Sequence, residues 1–399
     1  MSYIICTFAA IIVFKAQGMN TTFSLYPIMY DQIREDILFI LLYGVVTATA
    51  VIACCYLLFR RANAFAPDVT SSVRLRRWTG AFFAFIALNH MWYMPILFLS
   101  SSEDILMTDL VGALLDSITV IPLTIGVLFV MLQDRRRPLW PIAVMVAPLI
   151  AGNVWSVAER NYALLPILQV YFLLMCIGLF TYMVLALRQY GHWLRENFAD
   201  LEHKEVWQSF VMLAVMLLML FIYALTNEGP AYLYAMLGFS VVLICYLLWR
   251  VETLSNLFIP ESNNHSDFLR SADSKPAEME RPLGLSKNIG PLLKQHCEEA
   301  QLYLQYDISL SQLAMQVGIN RSYLSKHFAL QGITYNAYIN GLRIQHFVNF
   351  YREAIATHQP VTAQQMAHQS GFRSYNTFSV AFKKVKGMTA TEWMRLTES

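Results

Sequence analysis

The sequence predicts an all-α protein built from an N-terminal bundle of about seven transmembrane helices and a C-terminal double helix-turn-helix domain. Apolar residues make up 56% of the 399 residues and charged residues only 14%, and the mean hydropathy is +0.43. Ordinary soluble domains are far less apolar. Residues 291–399 differ from the rest, because their ten Lys and Arg against six Asp and Glu give a net charge of +4, whereas the remaining residues carry −2.

Seven stretches are long and apolar enough to cross a bilayer, since a spanning helix needs about 20 predominantly apolar residues. They are 37–59, 79–99, 110–133, 139–158, 164–187, 210–226 and 231–249. Residues 3–14 are also apolar, but the run is short and lacks the basic start and cleavage site of a secretory signal. We therefore assign residues 1–36 to an N-terminal extracytoplasmic tail, with a short span over 3–14 or a poor signal peptide as the alternatives.

The basic residues between the spans predict which side of the membrane each loop faces. The loops that follow the first, third, fifth and seventh spans contain twelve Lys and Arg, whereas the alternate loops contain Arg160 alone. Cytoplasmic loops carry an excess of Lys and Arg. The chain is therefore expected to be a multi-pass membrane protein whose C-terminal domain lies in the cytoplasm.

The segment after the last span joins the membrane part to the basic part. Apolar residues spaced four, three and four apart from Leu247 to Phe258 predict a short helical stalk that stops at Pro260, with a simple end of the spanning helix as the alternative. Residues 261–288 are rich in Ser, Asn, Asp, Glu, Lys and Pro, a composition typical of a flexible linker. The predicted domains are a membrane domain over 37–250, a stalk and linker over 251–288 and a C-terminal domain over 289–399.

Two segments of the C-terminal domain repeat one pattern, SLSQLAMQVGIN at 309–320 and TAQQMAHQSGF at 362–372. Each begins with the S/T-x-x-Q spacing of a capping box, contains a small Ala where a second helix can cross, and reaches a Gly that permits a tight turn. The helix that follows each turn carries an apolar pair four residues apart, Leu324 with Phe328 and Phe378 with Phe382. A short helix, a tight turn and a second short helix form a helix-turn-helix, here present twice.

These residues also resemble a known family. The stretch RSYLSKHF, the pair Arg343-Ile344 and the stretch GFRSYNTFSVAFKKVKGMTATEWMR are similar to the AraC/XylS-type DNA-binding domain of bacterial transcriptional regulators, over roughly 290–396. The resemblance implies two helix-turn-helix units joined by one long helix, here about 335–357, with recognition helices in successive major grooves about 34 Å apart. It also implies that the membrane is the bacterial inner membrane. The sequence departs from the family pattern at Ala390, where Pro is usual, at Phe347, where Ala is usual, and at Val380, where Arg is frequent.

The DNA-facing side of each recognition helix follows from its apolar pair. If that pair faces the core, the residues on the opposite side face DNA, where Arg or Lys suits guanine and Asn suits adenine. Lysines at the end of the second recognition helix are expected to hold phosphates. The predicted DNA-binding residues are Arg321, Ser322, Ser325, Lys326, Tyr375, Asn376, Ser379, Lys383, Lys384 and Lys386. The alternative for any one such helix is a polar face that only meets water.

Polar residues inside the spans suggest a pocket that opens away from the cytoplasm. At about 1.5 Å per residue, His90 and Asp116 lie at similar depths in neighbouring antiparallel spans, with Asn153 and Gln169 in the outer halves of the next two. Polar groups within a membrane usually face a bundle interior, a partner or a cavity. These four residues are therefore a candidate pocket for a small polar or amphipathic ligand. The alternative is that His90 and Asp116 hydrogen-bond within the bundle and stabilise it.

The combined pattern predicts a membrane-embedded, sequence-specific transcriptional regulator whose membrane domain senses a signal and controls promoter binding. Two alternatives are a membrane-anchored regulator released by proteolysis within 261–288, and a transporter with a fused regulatory domain. The sequence contains no nucleophile elbow, P-loop, metalloprotease motif, paired-carboxylate arrangement or metal-ligand spacing of its six cysteines. We therefore predict no enzymatic activity, no metal and no cofactor. The candidate partners are double-stranded DNA, the lipid bilayer, a small-molecule ligand from the extracytoplasmic side and a second copy of the chain.

Overall fold

The computed structural model describes residues 35–60, 63–66, 69–161, 163–212, 214–215, 230–257, 289–357, 359 and 361–398. Within these ranges every regular element is a helix, which confirms the predicted all-α class. The chain divides into two compact units, Met1–Leu187 with Val206–Phe258, and Arg188–Glu205 with Ile259–Ser399. The predicted N-terminal tail with its candidate short span and the predicted linker over 261–288 lie outside the described residues, apart from the last two residues of the tail.

The helices of the first unit correspond to the predicted spans. They are α1 (Ile37–Phe59), α2 (Val73–Tyr93, followed by a 3₁₀ turn at Met94–Phe98), α3 (Ser102–Ile118), α4 (Val120–Met131), α5 (Trp140–Ala158), α6 (Leu165–Asn197) and α7 (Pro230–Thr253). Among the described residues, six helical segments are long and apolar enough to cross a membrane, with α3 and α4 counted as one. The predicted span over 210–226 falls mostly outside the described residues.

The predicted third span is interrupted at Thr119, which separates α3 from α4. Pro122 lies in the first turn of α4 and has no N–H to donate to the carbonyl of Ile118, four residues earlier. The backbone N–H and the hydroxyl of Thr119 both donate to the carbonyl of Leu115, at 3.0 and 2.7 Å, and close α3. The interruption is therefore a local consequence of proline within an otherwise continuous span.

Helices α1 and α7 run parallel to each other. At their first turns the Tyr234 hydroxyl donates a hydrogen bond to the Asp36 carboxylate, and near their last turns the Tyr56 hydroxyl donates to the Glu252 carboxylate at 3.3 Å. Spans that alternate in direction put the first and the seventh in the same direction. The parallel pairing of these two helices agrees with that alternation.

Helix α7 ends at Thr253 instead of continuing as the helical stalk that the 4-3-4 spacing predicts. The Glu252 carboxylate is fully buried and forms an ion pair with Arg76 at 3.1 Å. The backbone N–H of Asn256 donates to the carbonyl of Thr70, at 2.9 Å. Because these bonds hold the chain against the loop that precedes α2, residues 254–257 leave the helix, and their apolar spacing reflects packing within the unit.

Besides the end of α6 from Arg188, the second unit contains seven α-helices in its described part. They are α8 (Ile289–Leu293, continued by π-helical and 3₁₀ turns at Lys294–Glu299 and Leu302–Leu304), α9 (Leu310–Val317), α10 (Arg321–Leu330), α11 (Tyr335–Ala356), α12 (Ala363–Gln369), α13 (Tyr375–Lys386) and α14 (Ala390–Glu398). Helix α11 is the predicted connecting helix. It contributes Tyr335 and Ile339 to one hydrophobic core and Phe347 and Tyr351 to the other.

Phe347 lies at a position where the resembling family usually has Ala, and the second core accommodates its larger side chain. Its side chain is fully buried, with its ring centroid 4.5 Å from that of Phe378 and 5.6 Å from that of Phe382. Aromatic rings at such separations stabilise a core beyond the area they bury. Phe347 thus anchors α11 to the apolar pair of the second recognition helix.

Candidate nucleic-acid interface

The first helix-turn-helix unit comprises α9, a tight turn and α10. The predicted capping box is present, because the Ser309 hydroxyl accepts from the Gln312 backbone N–H at 3.3 Å and the Gln312 side-chain oxygen accepts from the Ser309 N–H at 2.8 Å. Gly318 closes α9 in the left-handed conformation, with φ of +75°. The Asn320 side chain then caps α10 by accepting from the Ser322 N–H at 2.9 Å. Local side-chain bonds thus fix both helix starts.

The second unit repeats this arrangement with α12 and α13. The Thr362 hydroxyl accepts from the Gln365 N–H at 3.2 Å, and the Ser374 hydroxyl accepts from the Thr377 N–H at 3.3 Å. Gly371 has φ of +86°, and a Cβ at this position would lie 2.8 Å from the Cα of Leu304. Only glycine fits here, because a side chain would be strained by its backbone conformation and would also collide with the backbone of residue 304.

The recognition helices α10 and α13 present the faces that their sequences predict. The apolar pairs Leu324 with Phe328 and Phe378 with Phe382 are at most 2% exposed, which confirms that they face the cores. Val380 is 66% exposed, so the position where the resembling family often has Arg lies on the outer face. Arg321, Ser322, Lys326, Asn376, Lys383 and Lys384 are exposed, whereas Ser325, Tyr375, Ser379 and Lys386 are half-buried.

Arg343 on α11 is buried within the domain and stabilises its structure. Its guanidinium is buried and donates to the carbonyls of Tyr303 at 2.7 Å, Gln305 at 2.6 Å and Tyr306 at 3.2 Å. Burial lowers the pKa of Arg343 to about 10, although the nearby Asp200 carboxylate opposes that shift. Arg343 therefore holds the loop that precedes α9 against the connecting helix.

The last residue of α6 and the segment after it contact the first turns of both recognition helices. The Arg321 guanidinium donates to the side-chain oxygen of Asn197, from Nε at 3.2 Å and also from Nη2. The Thr377 hydroxyl on α13 donates to the Glu202 carboxylate at 3.0 Å. Hydropathy could not reveal these contacts, because the two partners of the first pair are 124 positions apart.

Comparison with known proteins agrees with this architecture. Residues 313–396 match a family model described as a helix-turn-helix domain. The chain carries an AraC-type helix-turn-helix domain. It is 31% identical over 102 residues to an uncharacterized HTH-type transcriptional regulator of Staphylococcus aureus (strain MRSA252), which is 25% of this chain and 13% of that protein. It is 30% identical over 94 residues to the HTH-type transcriptional activator RhaR of Salmonella heidelberg (strain SL476), which is 23% of this chain and 32% of that protein.

The chain thus spans 13% and 32% of the lengths of these two relatives, and the similarity concerns the helix-turn-helix region. No solved structure matches the chain. The chain therefore combines a C-terminal AraC-type helix-turn-helix domain with six candidate membrane helices among its described residues.

The candidate ligand-pocket residues lie in the first unit, where His90 and Asp116 have different hydrogen-bond partners. Asp116 accepts hydrogen bonds from Asn89 Nδ2 at 2.6 Å and from the Tyr93 hydroxyl at 3.1 Å. His90 instead forms a hydrogen bond through Nδ1 with the carbonyl of Ile86, at 2.9 Å. Successive residues of a helix point about 100° apart. Helix α2 therefore directs Asn89, and not its neighbour His90, toward Asp116, which differs from the expected pairing.

The remaining pocket candidates are placed differently from each other. Asn153 on α5 is buried and donates to the Ser117 hydroxyl on α3 at 3.3 Å, next to Asp116 in sequence. Gln169 on α6 is exposed. Asp116 on α3 thus bonds to α2, whereas Asn153 on α5 bonds to Ser117 on α3, so the two candidates form separate hydrogen bonds. In the described part of the chain, no group of three or more His, Cys, Asp or Glu side chains could hold a metal ion.

Proposed function

We propose that this protein is a membrane-embedded transcription regulator whose N-terminal helices sense a signal and control promoter binding by the C-terminal domain. The observation that carries the proposal is the presence, in one chain, of two capped recognition helices with exposed polar faces and of six candidate membrane helices. A single spanning helix would be enough for attachment. A bundle with buried polar groups is better suited to detecting a signal.

We assign sequence recognition to the outer faces of α10 and α13. Arg321 and Lys326 are suited to guanine edges and Asn376 to adenine, whereas Lys384 and Lys386 contact phosphates and position the domain. Ser322, Ser325, Tyr375, Ser379 and Lys383 complete the proposed interface. Side-chain caps hold the first turns of α10 and α13 rigidly, so the residues that lead into a major groove are preorganised.

We place the C-terminal domain in the cytoplasm. The loops rich in Arg, which lie on the same side as this domain in the predicted topology, favour that assignment because Lys and Arg concentrate in cytoplasmic loops. The structure supports the predicted alternation, because the Gln133 side chain after α4 donates to the carbonyl of Ser255 after α7, at 2.9 Å. The loops after the third and the last spans therefore share a side.

We further propose that the polar groups around Asp116 and Asn153 contribute to a ligand site that opens to the extracytoplasmic side, and that His90 and Gln169 border it. Their separate hydrogen bonds join α3 to α2 and to α5, so a ligand that competes for them would change how these three helices pack. A second copy of the chain is a further proposed partner. The mass of the purified protein in nanodiscs would measure this association.

Chromatin immunoprecipitation of the full-length protein from cells tests the DNA-binding proposal. We expect discrete genomic sites for the natural protein and reduced occupancy for Lys326→Ala and Asn376→Ala. Lys294→Ala is the matched control, because Lys294 is exposed in the same domain but outside both recognition helices. Uniform recovery of the genome by all four proteins would contradict sequence-specific binding.

Fusions to a reporter enzyme that is active only outside the cytoplasm test the orientation. We expect fusions after Arg250 to be inactive and fusions near Glu103 or Glu228 to be active. The reverse pattern would separate the domain from DNA and would contradict the proposal.

A further inference from the structure

Residues 196–205, ENFADLEHKE, form an acidic segment that belongs to the same compact unit as the DNA-binding domain. The segment carries Glu196, Asp200, Glu202 and Glu205 against one cation, Lys204. It begins at the last residues of α6 and continues beyond that helix. An acidic peptide lying on a basic domain has the charge of the DNA that the domain binds.

The acidic segment is anchored through Ala199 to the hydrophobic core that contains the buried residues of the first helix-turn-helix unit. Ala199 is fully buried, and its N–H donates to the carbonyl of Ile308 at 3.3 Å. The side-chain amide of Asn336 on α11 donates to the carbonyl of Ala199 at 2.6 Å. At the far end of the segment, Lys204 forms an ion pair with Asp307 at 3.2 Å. These contacts give the acidic segment one defined position.

From this anchor the acidic segment reaches both recognition helices. Asn197 holds the guanidinium of Arg321, the first residue of α10. Glu202 places its carboxylate at the first turn of α13, where it accepts from the Thr377 hydroxyl. The N-terminus of a helix attracts anions. The Glu202 carboxylate therefore lies where the phosphate of a bound duplex would be attracted.

We propose that the acidic segment is an autoinhibitory element that competes with DNA for the first turns of α10 and α13. The inference rests on the proposed function, because it assumes that these turns bind DNA. Helix α6 belongs to the membrane-compatible unit up to Leu187 and to the DNA-binding unit from Arg188, without interruption of the helix. A shift or rotation of α6 would therefore move the acidic segment directly. This gives the membrane part a mechanical route to the DNA-binding surface.

The affinity of full-length protein in nanodiscs for DNA tests the competition. The probe is a duplex of a site recovered by immunoprecipitation, compared with a duplex of scrambled sequence. Glu202→Ala and Asn197→Ala should each bind the recovered site about three- to tenfold more tightly, since a weakened closed state raises the fraction of binding-competent protein. Glu205→Ala is the matched control. This variant removes the same charge as Glu202→Ala, but from an exposed position in the same segment, and should change the affinity by about twofold at most.

Hydrogen exchange of the same proteins provides a readout that does not depend on a substitution. If the duplex displaces the acidic segment, peptides covering residues 197–204 should exchange faster when the duplex is bound, because the Ala199 N–H loses its bond to Ile308. Slower or unchanged exchange, together with affinities of Glu202→Ala and Asn197→Ala equal to that of Glu205→Ala, would overturn the inference while leaving sequence-specific binding intact. Equal binding of recovered and scrambled duplexes by every protein would instead refute the proposed function.

Discussion

Replacement of Arg343 by Met should destabilise the DNA-binding domain more than any change on its surface. The side chain is 1% exposed and donates to three backbone carbonyls, at 2.7, 2.6 and 3.2 Å. Hydrogen bonds from a charged donor contribute about 1.5–3 kcal/mol each. Gln305 and Tyr306, which supply two of the carbonyls, lie on an exposed loop where water can replace the lost donor. We therefore expect a loss of about 3–5 kcal/mol, below the simple sum.

The assay is hydrogen exchange of the full-length protein, followed in peptides from α9 and α11. Local opening sets the exchange rate of such buried amides. A loss of about 3–5 kcal/mol should therefore accelerate exchange by about a hundredfold or more, since each 1.4 kcal/mol is tenfold. Arg352→Met is the control, because Arg352 is exposed on the same helix and should cost about 0.5 kcal/mol or less. Exchange of Arg343→Met within about threefold of the natural protein would refute the assigned anchoring function.

Three further predictions concern binding, pH and signalling. Lys326→Ala should weaken binding at one half-site by about 1–3 kcal/mol, whereas Lys384→Ala should weaken all sequences alike and lower the salt slope by about one unit, as titrations at several salt concentrations would show. Burial raises the pKa of Cys297 to about 11 from 9.0. Between pH 9 and 11 the folded domain therefore keeps the Cys297 proton, whereas the unfolded chain loses it. The contribution of this difference to the free energy of unfolding is fully present below pH 9 and is lost as the pH rises to 11. Pulse proteolysis in urea should find a shallower loss between pH 9 and 11 for Cys297→Ala. His90→Gln and Asp116→Asn should leave abundance and DNA affinity unchanged but abolish changes in promoter activity between growth conditions, and loss of both variants from the membrane would favour a purely structural function.

The helix-turn-helix units were predictable because their determinants are local. The capping box at Ser309, the left-handed turn at Gly318 and the spacing of Leu324 and Phe328 all act within about one helical turn. Sequence patterns of this kind read directly as structure. The same holds for the second unit, where Gly371 closes the turn.

The ends of the membrane helices were less predictable. One end is fixed by a contact between residues far apart in the sequence, and another lies in a stretch that is too polar for hydropathy to mark. Helix α7 stops at Thr253 where Glu252 pairs with Arg76, a bond that the apolar spacing of its own segment cannot encode. Helix α6 extends to Asn197, ten residues beyond the predicted span, because its last turns are helical without being apolar. Hydropathy marks the part of a helix that suits lipid, and it does not mark where the helix ends.

The candidate sites show the same division. The faces of α10 and α13 followed from periodicity, whereas the partner of Arg321 did not, because Asn197 approaches it from a different part of the chain. Similarly, counting residues along the spans placed His90 and Asp116 at the same depth. The side chain on α2 that points toward Asp116 is nevertheless Asn89, which donates the hydrogen bond. Depth follows from counting residues, while the direction of a side chain depends on how the helices pack.

The most direct test of the account is whether the intact chain binds a specific DNA sequence while it is embedded in a bilayer. The measurement is the retardation of a recovered genomic duplex by full-length protein in nanodiscs, with immunoblots of both protein termini in the retarded band. We predict that the recovered duplex is retarded by uncleaved protein, that a scrambled duplex is not, and that Asn376→Ala reduces the difference. Retardation only by a fragment that lacks the membrane helices, or equal retardation of both duplexes, would contradict the account.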